Sequence, residues 1–184
     1  AEGGTPYGPI AQMLRLVLVE GPPPAAPLAP AILDDLLTLA PDLRAYLAPA
    51  GAGAPDPRAR TLEPQVEQSR VFESFVALCT ALAAETPLVL CVEDGHWADS
   101  GTLFLLRHVA RRIRRQRILI VLTYRETDLD QACCLPEVLA DLNRERLSAR
   151  LKLGRFGPDG TQALLAALFQ GPVAAELAAA VHHE

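Results

Sequence analysis

Lysine is nearly missing from this sequence: of its 17 basic residues only Lys152 is a lysine, and the rest are arginine. That lysine stands in "RLKLG" with no glycine loop before it. The 184 residues therefore contain no G-x-x-x-x-G-K-[ST] motif, and with it a loop of backbone amides and lysine that cradles phosphates is excluded from them. Long apolar runs are missing as well. None approaches the roughly 20 residues that a membrane-spanning helix requires. The opening "AEGGTPYGPI" has neither a basic region nor a long apolar core, so no signal peptide is visible. It also does not begin with methionine, and the expectation is a trimmed or partial chain. The four cysteines form no C-x-x-C pair, which argues against a zinc cluster, and no secretory context favours a disulfide framework. They are read as reduced thiols of a cytoplasmic protein, with a redox role for the adjacent Cys133 and Cys134 as the alternative.

What is present is globular in character. Half of the residues are hydrophobic and 21% are charged, enough for a sizeable core and unlike a disordered chain. The net charge of −5 argues against a nucleic-acid surface over the whole molecule. Two proline- and glycine-rich stretches, 20–30 and 48–57, read as loops. Helices are expected at 10–19, at 31–40 with Ile32, Leu36 and Leu39 on one side, and from 66 to 85. The last of these places Val71, Phe75, Leu78, Cys79 and Leu82 on one face. Continuous apolar runs at 88–92 and 118–124 predict strands buried on both faces of a parallel sheet. Between them a helix over 102–115 turns Leu103, Leu106, Val109, Ala110 and Ile113 inward, with Asp99 or Ser100 as its cap. Helices near 135–146, 157–169 and 173–182 follow, and 149–153 reads as a short third strand. The alternation of helix and strand gives an α/β class.

The chemistry gathers at "PLVLCVEDGHWADS". Ligands of α/β sheets bind beyond the carboxyl ends of the strands, and Glu93 and Asp94 emerge there. A carboxylate at that edge can hold Mg²⁺, directly or through water, against nucleotide phosphates. A second acid can orient or deprotonate an attacking water. The next strand ends in Thr123, Tyr124 and Arg125, a hydroxyl and a guanidinium suited to a terminal phosphate. For Arg125 the plainer alternative is a local ion pair with Glu126 or Asp128.

"LVLCVEDGHWADSGTLFLL" followed by "ILIVLTYRETD" resembles the Walker B and sensor-1 segments of the signal-transduction ATPases with numerous domains. More narrowly, it resembles the ATPase module of large bacterial LuxR-type transcriptional regulators and of cyclase- or kinase-linked regulators. "PYGPIAQMLR" is similar to the segment after the P-loop helix and second strand, and "RLKLGRFGPDGTQALLAAL" to the start of a helical lid. The resemblance thus covers nearly the whole chain. It implies a partial P-loop NTPase sheet of the ASCE type flanked by helices over 1–153, with the start of the lid at 154–184. It implies ATP and Mg²⁺ as cofactors, with Glu93 and Asp94 holding the metal through water and Asp94 as the catalytic acid. Thr123 takes the sensor position, and Arg125 faces the terminal phosphate as a second catalytic residue.

The sequence departs from that pattern in three places. Glu93 stands where aspartate is usual, Gly95 where a bulky apolar residue is common, and the P-loop lacks a counterpart. The expectation is a truncated module of a multidomain signalling or transcriptional regulator, inactive alone. Its partners would be ATP or ADP, the other domains of the same chain and a second copy through open sheet edges, without a nucleic acid or a membrane. A degenerate, non-enzymatic interaction module and a metal-dependent hydrolase using Glu93, Asp94, His96 and Asp99 are the alternatives.

Neighbouring residues have plainer readings. His96 is expected to pack or hydrogen-bond rather than to ligate, Trp97 to anchor the turn from beneath, and Asp99 to cap a helix. The arginines at 107, 111, 112, 114, 115 and 117 read as a helix end that complements its dipole, or as a partner surface, rather than as a nucleic-acid stripe.

Overall fold

The computed structural model describes residues 6–21, 28–47 and 63–183. The expected loop at 48–57 lies outside the described residues, as does part of the loop at 20–30. The chain divides into two compact units, Ala1–Ser148 and Ala149–Glu184.

The first unit begins with α1 (Gly8–Arg15), which runs into a π-helical turn, Leu16–Glu20. Helix α2 (Pro30–Leu39), a 3-10 turn Pro41–Leu43 and the short α3 (Arg44–Leu47) follow. The long α4 (Pro64–Glu85) starts with proline at its first position, where the missing N–H costs nothing, and stops at Thr86 in extended conformation. Then come β1 (Leu88–Val92), a 3-10 turn Gly95–Trp97, α5 (Ser100–Arg112), β2 (Ile118–Leu122), a 3-10 segment Glu126–Gln131 and α6 (Leu135–Arg144).

Strands β1 and β2 pair in parallel, with Leu88 opposite Ile118 and Val92 opposite Leu122. A parallel pair joined through a helix and flanked by helices is the α/β class expected, in a chain that is otherwise mostly helical. The strands are not buried on both faces. Leu90 and Val92 point into the core, whereas the opposed pair Val89 and Leu119 stands 58% exposed on each side. Helices cover one face of the pair, so the unbroken apolar runs overstate the burial. The expected third strand is also corrected: residues 149–153 form no strand, and Leu151 and Leu153 are 84% and 81% exposed. With both leucines open to solvent, the segment gains none of the apolar burial that would hold it as a strand.

Two clusters of apolar side chains organise the first unit, and α5 serves both. Leu105, Leu106 and Val109 join Ile10, Leu36, Phe75, Leu78, Leu90 and Val92 in the larger one. Leu103 packs with Ala132, Leu135 and Val138 in the smaller one. A single inward stripe on α5 was expected; the two-sided burial explains why Leu105, off that stripe, is fully buried. Helices α2 and α4 also share a polar tie, in which the buried Asp35 accepts from the Ser74 hydroxyl at 2.9 Å and pairs with Arg70 at 3.0 Å.

The second unit consists of α7 (Pro158–Leu168) and α8 (Ala175–His183), preceded by the irregular residues 149–157. Thr161 Oγ and His182 Nδ1 lie 3.0 Å apart and link the two helices. Phe156, Leu168 and Phe169 remain exposed.

Candidate functional site

The carboxyl end of the parallel pair is shaped by backbone first. Thr123 N–H donates to the Val92 carbonyl at 3.0 Å and carries the ladder one step past the strands. The chain then turns at Asp94, whose φ of 50° is left-handed, a conformation that Asp and Asn tolerate better than most residues. Two bonds stitch the turn to β2: Asp94 N–H donates to Thr123 Oγ1 at 3.1 Å, and Gly95 N–H to the Thr123 carbonyl at 2.7 Å. Glycine here leaves room for the Leu122 side chain, which would have to shift for any larger residue. A Cβ on Gly95 would lie 2.4 Å from Leu122 Cδ1. The departure at Gly95 is therefore a matter of close approach between the turn and β2.

This geometry brings Asp94 and Thr123 together and sets Glu93 one residue past the strand end, with Arg125 on the neighbouring segment that follows β2. Glu93 and Arg125 are exposed and Asp94 half-buried. Among the described residues, no hydrogen bond or ion pair is seen at the side chains of Glu93, Asp94 or Arg125, and Asp128, one of the two local partners considered for Arg125, has its carboxylate near His96 instead. Two carboxylates and one guanidinium thus stand at one sheet edge without a partner among the described residues. Hard carboxylate oxygens suit Mg²⁺, and a guanidinium suits phosphate oxygens. Among the described residues, no group of three or more His, Cys, Asp or Glu side chains is arranged to hold a metal. The four-ligand hydrolase arrangement is accordingly not assembled.

The remaining members of "EDGHWAD" have other occupations. Asp99 caps α5 as expected, accepting from Thr102 N–H at 3.0 Å and from the Thr102 hydroxyl at 2.6 Å. It also accepts from Tyr7 N–H at 3.1 Å, which docks the start of α1. The Tyr7 ring packs so closely on Gly101 that a Cβ there would lie 2.6 Å away. His96 is buried. Trp97 is not the anchor expected: it is 72% exposed, its ring 4.7 Å from that of His96.

Five of the six arginines in the row, all but Arg115, are engaged by neighbouring elements. Arg107 pairs with Asp141 of α6 at 2.7 Å, and Arg111 with Glu145 just beyond it. Arg112 reaches Glu73 of α4, which also lies 3.1 Å from His108. Arg114 donates to the Glu145 carbonyl at 3.0 Å. Arg117 donates to the Ala83 and Ala84 carbonyls at 3.0 and 2.7 Å, satisfying the exposed end of α4. A hydrogen bond from Arg111, reinforced by its charge, holds the Glu145 carboxyl below its ordinary value.

The cysteines are all free. Burial pushes the Cys79 thiol up to about 12 and the Cys134 thiol up to about 11, so both stay protonated near neutrality. Among the described residues no helix is long and apolar enough to cross a membrane.

A family model described as AAA ATPase domain matches residues 1–121. The match takes in Glu93 and Asp94 and ends before Thr123 and Arg125. No curated protein and no solved structure matches the chain.

Proposed function

This chain belongs to the AAA ATPase domain family, and from that membership we propose that it is the ATP-binding module of a cytoplasmic, multidomain signalling or transcriptional regulator. The observation that carries the proposal is the open set of Glu93, Asp94 and Arg125 at the carboxyl edge of a parallel strand pair, the edge where α/β sheets bind ligands. In this reading Glu93 and Asp94 are the Walker B acids, Thr123 is the sensor and Arg125 faces the terminal phosphate. The sheet is of the ASCE type, and 154–184 begins a helical lid. Nucleotide state would be read by other domains of the same chain or by a second copy.

Glu93 and Asp94 would hold Mg²⁺ through water, and the ion when bound neutralises phosphate charge. Asp94 would have a second task, orienting a water and accepting its proton as that water attacks the terminal phosphorus and the bond to the departing ADP breaks. Arg125 can meet two phosphate oxygens at once. The Thr123 hydroxyl already accepts from Asp94 N–H, which leaves its own proton free to donate to a phosphate oxygen. Thr123 therefore holds the catalytic acid in place and contacts the ligand with the same group.

Equilibrium binding of Mg-ATP to the 184-residue chain, and to a form extended N-terminally by a phosphate-binding strand, loop and helix, tests the proposal. Binding by the extended form that Asp94→Asn and Arg125→Ala weaken supports it. Failure of both forms to bind overturns it. That result would favour the second reading, a non-enzymatic interaction module, which the missing phosphate loop and the exposed Val89 and Leu119 face support.

A further inference from the structure

The turn Gly95–Trp97 buries the His96 side chain to 1% exposure, yet neither ring nitrogen makes a hydrogen bond among the described residues. A buried polar group without a partner calls for a reason, because nearly all such groups are satisfied. Packing alone does not supply one, since an apolar ring would fill the space without the penalty. The direction of the ring is informative. Its Nε2 stands 3.4 Å from Asp128 Oδ2, beyond a good hydrogen bond by about half an ångström. Asp128 in turn donates its backbone N–H to the Arg125 carbonyl at 3.3 Å, and its other carboxylate oxygen accepts from Thr127 at 2.9 Å. The contacts thus run from the turn carrying the two acids, across His96 and Asp128, to the segment carrying Arg125.

We infer that His96 is a positioning residue: through Asp128 it sets where the Arg125 segment stands relative to the turn that carries Glu93 and Asp94. Catalytic hydrogen bonds are often long before a ligand arrives and tighten around it. The 3.4 Å contact has that character, and closing it would draw Arg125 and the acids into one rigid frame. The consequence for nucleotide chemistry rests on the function proposed above; the tether itself does not.

Amide and imidazole NMR spectra of the ¹⁵N-labelled chain test the tether without nucleotide. His96→Phe and Asp128→Asn should each move the Asp94 and Arg125 amide resonances, and the double variant should move them no further. His96→Gln, which keeps an N–H near the Nε2 position, should return Arg125 towards its wild-type position. Additive shifts, or an Arg125 resonance indifferent to His96→Phe, would overturn the inference. Should His96→Phe fail to fold, Asp128→Asn alone decides, because Asp128 is half-exposed: an unmoved His96 Nε2 resonance rejects the tether. In a form that binds Mg-ATP, His96→Phe should weaken binding about tenfold, the usual loss for residues that act through another, with recovery in His96→Gln. Wild-type protein that binds no Mg-ATP in any form rejects the nucleotide site and leaves the tether to be judged by the spectra.

Discussion

The acid turn after β1 and the arginine row at the end of α5 are both dense in charge, and the fold uses them in opposite ways. Along the row, Arg107, Arg111 and Arg112 reach carboxylates on α4, α6 and the residue after α6, while Arg114 and Arg117 reach backbone carbonyls. At the turn, Glu93, Asp94 and Arg125 reach nothing among the described residues. Charge density in a sequence is therefore a poor guide to ligand binding. What separates a structural charge from an available one is whether neighbouring elements answer it.

Substitutions can break this contrast or sharpen it. Asp94→Asn keeps a residue that accepts the left-handed backbone but removes the charge. Mg-ATP affinity of a binding-competent form should fall about ten- to a hundredfold, as outer-sphere metal partners typically do. The thermal unfolding free energy should stay within about 0.5 kcal/mol. A large stability loss would mean that the turn's charge is structural after all. Gly95→Val tests the opposite property of the same turn. Its side chain would press on Leu122 and the Thr123 carbonyl, and urea unfolding should show a loss of about 2 kcal/mol from overpacking. Asp141→Ala strikes the hub of the arginine row, where Arg107, Arg111 and Arg144 meet. Stability should drop by about 1–2 kcal/mol, between the values for exposed and buried pairs, with Mg-ATP affinity unchanged. The smallest effect is Glu145→Gln. Because Arg111 depresses the folded carboxyl below its ordinary 4.5, that carboxylate adds stability above pH 4.5 and loses it as pH falls through the folded value. Wild-type protein should lose more stability than the variant below pH 4.5.

Much of the first unit was readable before the structure. Continuous apolar runs located β1 and β2, the 3.6-residue spacing located α4 and α5, and the Asp99 cap lay one residue before a helix. What was missed depends on contacts between distant segments. Nothing local distinguishes Asp35, which is buried only because Ser74 and Arg70 on α4 meet it. Trp97 is exposed where an anchor was expected while His96 packs inward, since a 3-10 turn points successive side chains in different directions and the sequence does not say which of them faces the core. The short apolar segment 149–153 looked like a strand because alternation alone cannot supply a partner strand. At the site, the acids were visible as a pair, whereas the stitching of their turn by Thr123 required knowing that β2 lies beside β1.

The position of α5 has a consequence for motion. Its first turn is pinned to Tyr7, its two sides to separate apolar clusters, and its last turns to α4 and α6. A rod held at both ends and on both flanks cannot tilt without unsettling the whole unit. Its amides should be among the last to exchange with deuterated solvent, opening only when the entire unit unfolds. The acid turn leads directly into that rod, so any displacement forced on the turn would be carried to α4 and α6 as a rigid rotation rather than absorbed where it arose.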